Sequence, residues 1–178
     1  ELSRPWHVCF ELVWEAYCNG SIPIGAVVAD SQDQVVAQGR NRIYEENSPL
    51  EYVCKSDLSH AELNALLQVN KKEHRDINSY TLYTTVEPCP LCFGAFYMSG
   101  IRNLKYAARD AYAGSTNLYG KTDYMKRKTL NITGPYRELE DIQMAIKTEY
   151  LLRTRSGAAV ENLLECWLPD CPQGIALG

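Results

Sequence analysis

One joint constrains this chain more than any other. The run Tyr80-Thr-Leu-Tyr-Thr-Thr85 is rich in β-branched and aromatic residues and reads as a strand. It passes through Val86-Glu-Pro-Cys-Pro-Leu-Cys92 into a helical stretch, Pro90 to Ser99, that Gly100 stops. Pro88 and Pro90 suit a helix entry, where no amide hydrogen is needed. Cys89 and Cys92 then lie three apart at a helix start, on one face. Such a pair can ligate a metal, act as a redox couple, or be two buried thiols.

The chain holds 178 residues, 46% hydrophobic and 22% charged, which implies one globular, soluble domain with an ordinary core. No apolar run approaches the ~18–20 residues of a membrane span. The first residues, Glu1-Leu-Ser-Arg-Pro5, lack the basic-then-apolar order of a secretory signal. Seven cysteines, an odd number, argue against a disulfide framework and for a reduced, cytoplasmic setting. A net charge of −4 does not suggest a general nucleic-acid binder. The charge is uneven, however: residues 101–155 carry 11 Lys/Arg against 6 Asp/Glu, and the remainder 7 against 16.

The rest of the pattern predicts a layered α/β domain. Ser3-Arg-Pro5 opens an amphipathic helix that ends at Asn19-Gly20. Trp6 and Trp14 read as ordinary core residues. Ile24–Ala29 and Gln34–Gln38 flank Asp30-Ser-Gln-Asp33 as a hairpin. Asn41 to Leu58 reads as a long polar loop with acids at 45, 46, 51 and 57. Ser59 is expected to cap a helix running to about Asn70. Leu104–Ala108 reads as a strand and Arg137 to about Arg153 as a long helix. After Gly157 only Glu161–Trp167 looks helical, followed by loose Pro/Gly-rich sequence. Alternating strands and helices predict a partly parallel central sheet with helices on both faces.

A redox couple gives no role to Ser59-His60-Ala-Glu62, a histidine beside an acid upstream of the cysteine pair. Zinc does. Positive charge at a helix start favours thiolates, and a neutral His60 imidazole completes a His/Cys/Cys set with one tetrahedral corner free. An open corner marks a catalytic zinc, and water admitted there becomes acidic enough to ionise near neutral pH. Glu62 is the candidate proton carrier. Residues two apart on a regular helix do not share a face, so local geometry at the helix start must bring Glu62 to the metal. Glu62 could instead be an N3 capping partner of Ser59. Cys54, in the preceding loop, could supply a fourth ligand and close the site. His7 and His74 read as surface or packing residues.

The two halves His60-Ala-Glu62 and Pro88-Cys89-Pro-Leu-Cys92 together match the zinc nucleobase-deaminase signature. Ile22-Pro-Ile-Gly25-Ala-Val-Val28, Gly39-Arg-Asn41, Thr85–Cys89 and Ala108-Arg-Asp110-Ala extend the likeness. Over roughly residues 5–152 the chain resembles the zinc-dependent cytidine/deoxycytidylate deaminase superfamily, in the branch of tRNA adenosine deaminases and guanine deaminases. The resemblance implies a three-layer α/β/α fold with a five-stranded mixed sheet, usually in a homodimer. It implies a deaminase domain over residues 1–156 and a C-terminal extension over 157–178. It implies one zinc ion on His60, Cys89 and Cys92, proton transfer by Glu62, and substrate contacts from Asn41, the Ala61 amide and Asp110. Asn41 could equally be a turn residue after Gly39. The implied reaction replaces the exocyclic amine of a cyclic amidine by an oxo group and releases ammonia.

Substrate class is the open choice. An acidic 41–58 loop, longer than usual in the tRNA enzymes, and a tail without a strongly basic helix favour a free base or nucleoside. The basic 101–155 segment, with Lys126-Arg-Lys128, favours tRNA adenosine unless it is merely a solvated face. A non-catalytic zinc module is the third alternative.

Overall fold

The computed structural model describes residues 2–49 and 51–178; position 50, inside the predicted loop, lies outside the described residues. Helix α1 (Arg4–Cys18) leads into strands β1 (Gly25–Ala29) and β2 (Val35–Arg40). Then follow α2 (Ala61–Leu66), β3 (Thr81–Val86), α3 (Pro90–Ser99), β4 (Asn103–Ala108) and β5 (Asn131–Thr133). Helices α4 (Arg137–Thr154), α5 (Ala158–Trp167) and α6 (Pro172–Leu177) complete the chain.

The five strands form one sheet in the order β2-β1-β3-β4-β5. β1 runs antiparallel to β2 and β3, whereas β3, β4 and β5 are mutually parallel. All five residues of β1 and all six of β3 are buried, as strands covered on both faces must be. The two-residue period sorts them: Ala26, Val28 and Leu82 pack with α2 and α3, and Val27, Ala29 and Tyr83 with α1. Helix α4 lies on the α1 side, against β3 and β4. The predicted mixed sheet between two helix layers is therefore the observed architecture.

Close approach fixes α2. A Cβ on Gly39 of β2 would come 2.4 Å from both the Ala61 carbonyl oxygen and the Ala65 amide nitrogen. Only glycine lets strand and helix meet there. Asn64 of α2 accepts from the Val53 amide at 2.7 Å and donates to the Val53 and Arg40 carbonyls at 3.0 and 3.2 Å. One buried amide thus ties the 41–58 loop and the end of β2 to the same helix.

Four expectations are corrected. Helix α2 is short: His60, not Ser59, is its N-cap, and the Ser59 hydroxyl is buried without a hydrogen-bond partner among the described residues. The helix ends before Asn70, whose side chain bonds the Lys72 amide and Glu73 instead, the usual competition of Asn with helical backbone. β5 is a strand that the sequence reading did not locate; three residues carry too little pattern. Trp14 is 59% exposed and stacks on Tyr17, because the inward stripe of α1 is Trp6, Cys9, Leu12, Val13 and Ala16. The tail is not loose: Val160, Trp167 and Cys171 pack with Met144, Leu151 and Ala108 in a third core cluster.

Three cations close the far end of α3. Lys128, Lys71 and Arg102 donate to the carbonyls of Tyr97, Met98 and Gly100 at 2.6, 2.9 and 2.7 Å. They meet the negative end of the helix dipole and bond carbonyls that the helix leaves free.

Candidate active site

The N-termini of α2 and α3 converge just beyond the carboxyl ends of β3 and β4. Cys89 is the N-cap of α3, with Pro90 next and Cys92 one turn in; His60 is the N-cap of α2. The His60 Nδ1 atom stands 3.5 Å from Cys89 Sγ and 3.3 Å from Cys92 Sγ. Tetrahedral zinc with ordinary Zn–S and Zn–N bonds needs nitrogen and sulfur roughly 3.6 Å apart. The spacing and donor chemistry fit one zinc ion per chain. Among the described residues this is the only His/Cys/Asp/Glu cluster with all ligand atoms within 4.8 Å, and Cys54 is not in it. The alternative of Cys54 as a fourth ligand finds no support in this cluster.

The Cys92 thiol, then His60, hydrogen-bond the Cys89 sulfur and pull it down to about 4. The same pairing, with burial, pushes Cys92 up. His60 is raised by its bond to Cys89, against the opposing effect of burial. This is a site prepared to hold concentrated positive charge.

Glu62 is the second residue of α2, 4% exposed, and burial raises its carboxyl above the ordinary range. A capping box with Ser59 is excluded, since Ser59 lies outside the cap and its hydroxyl has no partner among the described residues. Helix α2 begins at the metal ligand itself. That answers the face problem: His60 is still extended (ψ 153°), so helical spacing does not separate it from Glu62.

A cavity of about 230 Å³ opens on this centre. His60, Ala61, Glu62 and Cys89 form its floor with Asn41, Ile24, Val86 and Glu87; Asp110, Lys147, Tyr150, Leu163 and Trp167 form the facing wall. Asn41 is 2% exposed; its Oδ1 accepts from the Ile43 amide at 3.2 Å, and its Nδ2 has no partner among the described residues. Asn41 thus both holds a turn and lines the cavity. Asp110 lies in the wall but is heavily engaged. Its Oδ1 accepts from the Tyr112 and Ala113 amides and the Trp167 indole, and its Oδ2 from Lys147 at 3.0 Å.

Sequence reasoning missed Glu87, Lys147, Leu163 and Trp167. Glu87 sits two residues before Cys89 and accepts from the Thr116 amide and hydroxyl and the Asp110 amide, pinning the 110–116 loop beside the metal ligands. Its place in Thr85-Val-Glu-Pro-Cys89 was the available signal. Lys147 and the tail residues have no local motif; only long-range packing brings them here.

The sequence model of the cytidine and deoxycytidylate deaminase zinc-binding region matches residues 2–108. The chain belongs to this family. The tRNA-specific adenosine deaminase of Haemophilus influenzae is 35% identical over 127 residues, 69% of this chain and 68% of that protein. The cytosine deaminase of Candida albicans is 27% identical over 111 residues, 62% of this chain and 69% of that protein. A solved structure of guanine deaminase from Nitrosomonas europaea superposes with a TM-score of 0.65 at 26% identity, covering 84% of each chain. The protein is accordingly a zinc-dependent deaminase, a hydrolase of C–N bonds, whose relatives act on three kinds of amino-bearing base. No helix among the described residues is long and apolar enough to cross a membrane.

Proposed function

We propose that this deaminase removes the amino group of a free nucleobase or nucleoside. The observation that carries the reading is the cavity: at about 230 Å³ it is smaller than the ~300–1,000 Å³ of drug-sized pockets, and α5 walls one side of it. A single strand of RNA needs several cationic contacts to its phosphates. Of the basic 101–155 segment, Lys147 and Arg155 line the cavity; among the described residues only Arg155, exposed and bonded to the Tyr44 hydroxyl, is not paired there with a carboxylate, short of the several cations that a phosphate backbone needs. Lys128 and Arg102 cap α3, Lys105 bonds Tyr83, Arg109 pairs with Asp170, and Lys147 pairs with Asp110. The acids of the 41–58 loop are partly neutralised, because Glu45 pairs with Arg40 and Arg42, and Glu46 with Lys55.

In this reading Asn41 Nδ2 and the Ala61 amide hold the base edge, and Glu62 takes a proton from water and delivers it to the leaving amine. Bound zinc supplies the Lewis acidity that activates that water. The C–N bond breaks, a C=O bond takes its place, and ammonia departs. A buried Glu62, its carboxyl raised above the ordinary range by desolvation, suits both halves of the shuttle. Exposed Leu67, Leu91 and Met98 on the α2–α3 layer supply an apolar surface for a homodimer, and the unpaired cysteines suit a cytoplasmic setting.

The second reading is adenosine in a tRNA anticodon loop, favoured by the Haemophilus influenzae relative. Zinc-loaded protein incubated with bases, nucleosides and an anticodon stem-loop, with ammonia as readout, separates the two. Turnover of a free base or nucleoside is expected; turnover of the stem-loop alone sinks the preferred substrate.

A further inference from the structure

The cavity wall opposite the metal holds a buried cation that the deaminase reaction does not itself require. Lys147 of α4 has a side chain only 9% exposed, and its ammonium bonds Asp110 Oδ2 at 3.0 Å. It also lies 4.1 Å from the centroid of the Trp167 ring. Trp167 in turn donates its indole N–H to Asp110 Oδ1 at 3.1 Å. Asp110, Lys147 and Trp167 therefore form a closed triad joining the 110–116 loop, α4 and the end of α5.

Donor and acceptor capacity within the triad is unbalanced. Asp110 already receives four hydrogen bonds, counting the Tyr112 and Ala113 amides. An ammonium carries three N–H donors; among the described residues Asp110 Oδ2 is its one hydrogen-bond acceptor, and the Trp167 ring face meets the charge on another side. Lys147 lines the cavity with capacity to donate, and a largely buried donor left unmet is costly. A ligand that brings an acceptor to this wall meets that need; Asp110, already saturated, is better suited to hold Lys147 than to bind the ligand.

We infer that Lys147 is a specificity-determining residue, donating a hydrogen bond to an oxo group that the base carries away from its amidine carbon, with Asp110 and Trp167 as positioning residues. This rests on the free-base reading above. An oxo oxygen offers two lone pairs outside the ring where a ring nitrogen offers one, so it can accept from the ammonium and from a second donor at once. The favoured substrates are then oxo-bearing amino bases, the pattern of cytosine and guanine, over adenine, which has no oxo group.

The test compares zinc-loaded wild type with Lys147→Met and Lys147→Arg, measuring kcat and KM for cytosine, guanine and adenine and, by calorimetry, binding of the same bases. The wild type is expected to favour an oxo-bearing base. Lys147→Met should cut kcat/KM for that base about ten- to hundredfold, mainly through KM, and change adenine far less. Lys147→Arg should restore part of the loss. If Lys147→Met fails to fold because Asp110 is left unpaired, the double variant Asp110→Asn with Lys147→Met removes that charge, and the same selective loss is expected. An equal loss for every base, or no loss, overturns the role of Lys147 alone. Wild type that binds and turns over no free base, yet deaminates the stem-loop, overturns this inference and the free-base reading together.

Discussion

The two sides of the cavity are built in opposite ways. The metal side comes from two short stretches, 60–62 and 88–92, in which the backbone itself makes the geometry: each ligand sits at or within one turn of a helix start. The facing wall comes from residues 110, 147, 163 and 167, on a loop and two helices, and nothing local announces it. In the proposed reading, reactivity is carried by compact motifs and selection by long-range packing. The first can be shared among relatives named for tRNA adenosine, cytosine and guanine, and the second cannot be read across from them.

The comparison can be broken in steps. The largest effect is expected on the metal side. Cys92→Ala should abolish turnover and leave less than stoichiometric zinc by elemental analysis, since two ligands hold the ion poorly. Next, Glu62→Gln should lower kcat by about 10²–10⁴ with bound zinc unchanged; loss of zinc instead shows that Glu62 helps hold the ion. Gly39→Ala should come third. Its Cβ cannot fit against Ala61 and Ala65, and overpacking of this kind costs about 1–3 kcal/mol. Thermal unfolding and a zinc titration should both register it, because α2 carries His60.

On the facing wall the effects should be smaller for chemistry and larger for selection. Trp167→Phe keeps an aromatic ring for Lys147 and loses the indole donor, leaving Asp110 one bond short. It should cost about 1–2 kcal/mol in stability and raise KM more than it lowers kcat. The least effect is expected from acid. Burial raises the Asp110 carboxyl, but Lys147, the Ala113 amide and the Trp167 indole together outweigh it and hold the group below the ordinary value. Its contribution to stability is therefore full above the unfolded pKa of ~3.9 and is lost as pH falls through the lower folded value. Thermal melts between pH 5 and 3 should show this loss in wild type and not in Asp110→Asn.

Legibility in the sequence followed the same divide. The zinc ligands, Glu62 and the layered sheet could be read because motif spacing and hydrophobic period are local quantities. The end of α2 could not, since it depends on Asn70 bonding its own neighbours. Nor could the outward turn of Trp14, decided by which helical stripe meets the sheet. The Pro/Gly-rich tail looked unstructured because its order comes from Val160, Trp167 and Cys171 finding Met144 and Leu151 on α4. The basic 101–155 segment left a partner surface and a solvated face as alternatives, and several of its cations satisfy the protein's own carbonyls and carboxylates.

The clamp of Lys71, Arg102 and Lys128 on the last turn of α3 has a consequence at the other end of that helix. Both sulfur donors ride on a rod anchored from below, and the imidazole comes from a helix locked to a glycine. Stripping the ion should therefore leave a standing receptacle rather than an unravelled chain, one that refills on contact with metal and can lose and regain its cargo without passing through the denatured ensemble.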